Sequence, residues 1–375
     1  MGRSTWCPTA DARHFVMPEL PASPTLAELG EWELIRRLGR FAPPGQFQDD
    51  AALLQPWPGG ELVVNTDVLV DGVHFSDLTT GPADVGWRAA AANLSDLAAM
   101  GCREVLGLTV GLVAPPTTPW SWVEGVYEGL TAALECYGGV LLGGDCSTGV
   151  QRLLAITALG RLDSGQGPSR GHQTGTGRTS SAGPIRRSDG RPGDLLLSTG
   201  PHGLSRLGLA LLQQGSGGPG GKPGKPNLAD LVGSELAAAA IKAHRRPNPR
   251  FDALEALAAS RPAGCPWRVA GCDSSDGLVA ALAALAAASG CGARLQRGAL
   301  PLAAAMAQLS EAQDWCLGGG EDFELVLALA PAWAEALATQ LAGSQIIGSL
   351  VAARGGELLW SDGQSLASKG FSHFN

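Results

Sequence analysis

Three successive segments decide the fold: ELVVNTDVLV (61–70), DVGWRAAAANLSDLAAM (84–100) and EVLGLTVGLV (104–113). The first is a Val- and Leu-rich run with one polar insertion, Asn65-Thr66-Asp67, and predicts a buried strand. The second is rich in Ala and Leu and predicts a helix, closed by Gly101 in the position where a left-handed residue ends one. The third predicts another strand. Continuing outward, residues 119–137 predict a helix, Val140–Leu142 runs into GGDCS, and RLLAITALG (152–160) predicts a further strand. The pattern is α/β.

Upstream, residues 1–25 read as a loose leader, and a helix is expected from about Thr25, with Leu26, Leu29, Trp32, Leu34 and Ile35 as its apolar residues. Downstream, residues 163–184 (DSGQGPSRGHQTGTGRTSSAGP) are almost free of apolar side chains and read as an insert. A second α/β unit is expected from Ile185. It holds a strand at 195–199, helices at Leu204–Gln213 and Leu228–Ala243 around a low-complexity stretch (215–226), helices at 252–260 and 278–289, and a terminal α/β portion. The expected organisation is therefore an N-terminal domain over 26–162 and a C-terminal domain over 185–375.

The 375 residues suffice for two domains, and an apolar fraction of 45% against 17% charged excludes a chain disordered throughout. A net charge of −8 argues against nucleic acid as a main partner. Lysines are few (Lys222, Lys225, Lys242 and Lys369), so lysine does not do most of the charge balancing if phosphates are handled. The longest apolar run, Leu278–Ala288, falls short of the roughly 20 residues of a membrane span. No continuous apolar segment marks a signal peptide in the first 25 residues. The cysteines show no C-x-x-C pair, and Cys102, Cys136, Cys272, Cys291 and Cys316 read as reduced core thiols of a cytoplasmic protein.

The chemistry is carried by carboxylates at strand ends and Gly-bounded turns. They are Asp49 and Asp50 (QDDAALL), Asp67 and Asp71 (NTDVLVDGVHF), Asp96 (NLSDLAAMG), Asp145 (GGDCS), Asp273 and Asp276 (DSSDGL), and Glu321 and Asp322 (GGGEDFEL). A buried carboxylate costs several kcal/mol unless a cation or donors compensate it. With few lysines and few arginines adjacent in sequence, hard divalent ions are the expected compensation, and Mg²⁺ is commonly held by one or two carboxylates plus substrate phosphates. Gly143-Gly144-Asp145 permits close backbone approach to a ligand, and Ser275-Asp276-Gly277 opens a helix whose amides favour an anion. A Walker loop and the protein-kinase signature set are both absent, so any ATP use relies on another scaffold.

The ordered series QDDAALL, NTDVLVDGVHF, NLSDLAAMG, GGDCS, RSDGRPGD, HRRPNPR, DSSDGL, GGGEDFEL and GFSHF resembles the thiamine-monophosphate kinase family, within the aminoimidazole ribonucleotide synthetase-like superfamily. The resemblance implies a mixed-sheet N-terminal domain that forms a dimeric β-barrel and a C-terminal α/β sandwich. It also implies ATP-dependent phosphorylation of thiamine monophosphate to thiamine diphosphate by direct in-line transfer, with Mg²⁺, in a cytoplasmic homodimer. Carried over motif by motif, Asp50, Asn65, Thr66, Asp67, Asp96, Asp145, Asp273 and Asp276 would be metal ligands, with Asp49 a partner for metal-bound water. Tyr127, Gly144, Arg187 and Ser275 would contact ATP, and His74, Glu321 and Phe371 would contact thiamine monophosphate.

The chain departs from the family pattern at Gln48, at Cys146-Ser147 and at Phe371, and none of these changes removes a carboxylate. ATP carries about four negative charges and the acceptor phosphate nearly two, so positioning and neutralisation are the main tasks. The acceptor oxygen is already ionised, and no catalytic side chain is required. An aminoimidazole ribonucleotide synthetase-like enzyme and a non-catalytic nucleotide-binding regulator are the alternative readings.

Overall fold

The structure, a computed structural model, describes residues 49, 52–57, 60–162, 183–215, 227–353, 355–366 and 370. The expected helix from Thr25, Asp50 and Phe371 lie outside these residues, as do most of both Gly-rich stretches.

The N-terminal strands are β1 (Ala52–Trp57), β2 (Gly60–Val70), β3 (Glu104–Ala114), β4 (Val140–Thr148) and β5 (Leu153–Arg161). They form one mixed sheet in the order β1-β2-β5-β3-β4, in which only the β3–β4 pair is parallel. Helices α1 (Pro82–Ala99) and α2 (Trp120–Tyr137) cover one face. Helix α1 ends as its glycine predicts. Gly101 takes φ 85°, its amide donates to Ala98 and the Cys102 amide to Leu97, so two terminal carbonyls are satisfied. Among the described residues the second face is uncovered: Val68 is 43% exposed, and every residue of β4 is exposed. Among the described residues the sheet is open, with β1 and β4 as its edges.

The C-terminal sheet has six strands in the order β11-β8-β10-β6-β9-β7. They are β6 (Leu195–Ser198), β7 (Ala270–Asp273), β8 (Gly292–Leu295), β9 (Leu325–Leu329), β10 (Gln345–Val351) and β11 (Leu358–Trp360). Its helices are α3 (Leu204–Gly215), α4 (Leu228–Val232), α5 (Ser234–Arg245), α6 (Phe251–Ala259), α7 (Leu278–Ala288), α8 (Ala312–Gly318) and α9 (Pro331–Gln340). Alternate residues of β9 enter different cores. Val326 and Ala328 join the α7 side, whereas Leu325, Leu327 and Leu329 join the α6–α9 side. The helix expected over Leu228–Ala243 is two helices, because Gly233 adopts φ 81° between them.

Helix α1 belongs to both domains: its last turn places Ala98 and Ala99 in the core of the α6–α9 side. Cys102, Cys272, Cys291 and Cys316 are buried as expected, but Cys136 is exposed, because it lies on the outer face of α2. Among the described residues no helix is long and apolar enough to cross a membrane.

Candidate active site

Strand alternation sorts the polar insertion of β2. Asn65 is buried, and its amide donates to the Asn93 carbonyl (3.2 Å), Asn93 Oδ1 (3.3 Å) and Asp96 Oδ2 (2.6 Å). Asn93 Oδ1 also accepts from the Asp67 backbone amide at 3.1 Å, so α1 fixes this end of β2. Since all three partners of Asn65 Nδ2 are acceptors, the orientation of the amide is settled. Its oxygen, Oδ1, is buried without a hydrogen-bond partner among the described residues.

The C-terminal domain brings its carboxylates to the same place. Ser95, on α1, donates to Asp273 Oδ2 at 2.7 Å, and Ser275 donates to Oδ1 at 3.4 Å. Burial, with the charges of Asp273 and Asp276 beside it, pushes the Asp67 carboxyl up to about 6. Burial likewise raises the Asp273 carboxyl, against the lowering effects of the Ser95 hydrogen bond and the Arg187 charge. Asp67, Asp273 and Asp276 therefore act on one another across the domain boundary, with Asn65 and Asp96 alongside. Among the described residues no group of three or more acidic, imidazole or thiol side chains forms a metal-holding cluster on its own. An orphaned amide oxygen beside mutually repelling carboxylates is nevertheless a donor set that suits a hard cation completed by phosphate oxygens.

Two predicted ligands lie elsewhere. Thr66 points to the uncovered face, where its hydroxyl meets that of Thr157 at 2.7 Å. Asp145 pairs in register with Gly111, and Gly111 with Ala155, which pairs with exposed Val68. Residues in such a row share a face, so Asp145 and Asp67 are on opposite faces. Three strand spacings, about 14 Å, also separate their strands. Asp49 is held from the domain junction: its Oδ1 accepts from the Arg187 amide at 3.0 Å.

The predicted ATP contacts divide in the same way. Arg187 and Ser275 stand beside Asp273, whereas Gly144 and Tyr127 are at the β4 edge. A Cβ on Gly144 would collide with the Val110 backbone, so strand packing alone demands glycine there. Burial, helped by neighbouring Cys146, raises the Tyr127 hydroxyl.

The predicted acceptor contacts meet at the boundary. His74 Nδ1 accepts from the Val70 amide at 3.0 Å, which leaves the ring proton of the neutral form on Nε2. Glu321 has a positive φ of 59°, in a turn pinned by its own amide donating to Ser275 O at 2.6 Å. Its carboxylate pairs with Arg88 of α1. Asp322 accepts the Gly203 and Ser205 amides (2.7 and 3.0 Å), which caps α3, and burial pushes its carboxyl up to about 7.

Sequence reasoning missed Arg88, Asn93, Ser95 and the buried His202 and His244. Arg88, Ser95 and Asp96 share a helix face at spacings of seven and eight residues, a periodicity that the sequence itself displays. Arginine also compensates more acids than expected. Arg88 pairs with Glu321, Arg152 with Asp71, Arg250 with Glu324, and Arg268 with Asp194. Asp67 and Asp273 have no such ion pair among the described residues.

Residues 48–162 match the model of the AIR synthase related protein N-terminal domain, and 191–361 match that of its C-terminal domain. The chain is similar to the thiamine-monophosphate kinase of Prochlorococcus marinus, 45% identical over 93% of this chain and 97% of that one. That of Synechococcus elongatus is 44% identical over 93% of this chain and 98% of that one.

The chain belongs to the thiamine-monophosphate kinase family.

A solved member of that family, AaThiL complexed with AMPPCP and TMP, superposes with a TM-score of 0.75 at 27% identity, covering 94% of this chain and 99% of that one. The two-domain α/β architecture of this family is the one described above.

Proposed function

We infer that this chain transfers the terminal phosphoryl group of ATP to thiamine monophosphate, giving thiamine diphosphate and ADP. The observation that carries the reading is the meeting of Asp67, Asp273 and Asp276 across the domain boundary, close to Arg88-bound Glu321, in a chain of this family. The ATP analogue and TMP bound by the solved relative support the same pair of substrates.

Asn65 through Oδ1, with Asp67, Asp96, Asp273 and Asp276, would hold Mg²⁺, and Asp50 extends this set. When bound, Mg²⁺ supplies neutralisation of phosphate charge. Arg187, Ser275 and Gly144 would contact the nucleotide phosphates, and Tyr127 would lie toward its base. His74 donates from Nε2 to the acceptor phosphate, Phe371 stacks on an acceptor ring, and Glu321 orients the acceptor's cationic portion. These residues align the two substrates and exclude water, and the ionised acceptor oxygen needs no general base.

Asp145 and Thr66, on the opposite face of the sheet, are left out of this metal set. That face and the exposed β4 edge, with Val140, Leu141 and Leu142 exposed, favour a homodimer closed into a shared barrel.

An ADP-release assay with and without thiamine monophosphate tests the function. ADP release that requires both Mg²⁺ and thiamine monophosphate is expected. ADP formation indifferent to thiamine monophosphate would overturn the reading.

A further inference from the structure

Arg88 is buried on helix α1, just before the alanine run Ala89–Ala92, at the domain boundary. Its guanidinium holds three separate segments. Nη1 donates to the His244 carbonyl at the end of α5. Nη2 donates to the His74 carbonyl at 3.3 Å and to Glu321 Oε1. Nε is buried without a partner among the described residues, so the side chain is placed there at some cost in desolvation. A single ammonium point charge lacks the planar fork that reaches partners in these different directions.

Glu321 needs such a tie. Its backbone sits in the left-handed region, which a non-glycine residue adopts only when its surroundings hold it there. Its other carboxylate oxygen lies 3.8 Å from His244 Nδ1. That imidazole is kept neutral, because burial and the charges of Arg88, Arg245 and Arg206 lower it to about 3. Arg88 is thus the cation that answers Glu321.

We propose that Arg88 is a positioning residue of the acceptor site, whose one guanidinium sets His74 of the N-terminal domain against Glu321 of the C-terminal domain. The inference rests on the acceptor roles given above to His74 and Glu321. Because Arg88 acts at the acceptor end, its loss weakens thiamine monophosphate binding and leaves ATP binding unchanged.

The test is steady-state kinetics of the full chain with each substrate varied in turn, for wild type, Arg88→Met, Arg88→Lys, Glu321→Gln and the double variant Arg88→Met/Glu321→Gln. For Arg88→Met the KM for thiamine monophosphate should rise about tenfold or more, the loss of one charge-assisted contact, with the KM for ATP within about twofold of wild type. Arg88→Lys should show a smaller rise of the same kind, and the double variant should lose less than the product of the two single losses. If Arg88→Met does not fold, Arg88→Lys decides alone, its folding checked by circular dichroism. A thiamine monophosphate KM within about twofold of wild type, or equal rises in both KM values, overturns the positioning role. A wild-type enzyme that releases ADP without regard to thiamine monophosphate defeats the functional reading itself, and the two failures are told apart by the wild-type control.

Discussion

Ser95 on α1 donates a 2.7 Å hydrogen bond to Asp273 at the end of β7, joining the two domains beneath the carboxylate group. Both residues are buried. Ser95→Ala should therefore cost about 1.5–3 kcal/mol, the range for a hydrogen bond to a charged group. It should also raise the Mg²⁺ concentration needed for half-maximal rate. Urea melts and a magnesium titration measure the two effects, and an unchanged midpoint in both would remove Ser95 from the site's support.

Asp276→Asn should move stability and activity in opposite directions. In the metal-free chain it relieves repulsion on Asp67, whose carboxyl burial and the charges of Asp273 and Asp276 raise to about 6. The metal-free melting temperature should rise, while turnover falls on the order of a hundredfold or more, as expected when preorganised electrostatic stabilisation is lost. Differential scanning calorimetry with and without ATP analogue and Mg²⁺, set beside turnover, checks both signs. A lower metal-free melting temperature would show that the three carboxylates do not repel in the native state.

His202 gives an acid-side stability slope. It is fully buried, with Nε2 2.9 Å from Ser274 Oγ and Nδ1 3.2 Å from Ser198 Oγ, and burial lowers it from 6.5 to about 4. Between these values the unfolded chain binds the proton and the native one does not. This contribution is complete above pH 6.5 and is lost as pH falls toward 4, amounting to about 3 kcal/mol in all. The stability difference between wild type and His202→Asn, followed by urea melts from pH 8 to about pH 4, should shrink by that amount. A difference that stays constant with pH would mean that the imidazole takes up its proton as readily in the fold as in the unfolded chain.

Gly129 and Gly86 let α1 and α2 touch backbone to backbone. A Cβ on Gly129 would meet the Ala83 carbonyl, and one on Gly86 the Val126 carbonyl. Gly129→Ala must push the helices apart, at a cost of about 1–3 kcal/mol from overpacking that outweighs the gain in helix propensity. Thermal melts should show the loss, and a variant as stable as wild type would mean that the crossing adjusts freely.

Much of the fold is legible in local sequence. The β2–α1–β3 core is readable because its periodicity is strong, and the DSSDG turn because a helix must begin after its glycine. The opposite orientations of Asn65 and Thr66 follow from strand alternation, yet motif resemblance groups them as ligands. The separation of Asp145 from Asp67 is not legible, since it depends on β5 and β3 lying between their strands. Nor is the pairing of Glu321 with Arg88, 233 positions away, or that of Glu324 with Arg250. Local composition says that a buried acid needs a counter-charge but not where along the chain its arginine resides. The break at Gly233 escapes the sequence reading because flanking alanines outweigh one glycine in a helical pattern.

The last turn of α1 sits in the hydrophobic core of the other domain, and this has a bearing on modularity. Either half expressed without its neighbour would bare an oily seam: Ala98 and Ala99 on one piece, the Ile185–Leu197–Trp333 socket on the other. The two halves should melt in one shared transition, and recombination that swapped one of them for an unrelated module would leave that seam open.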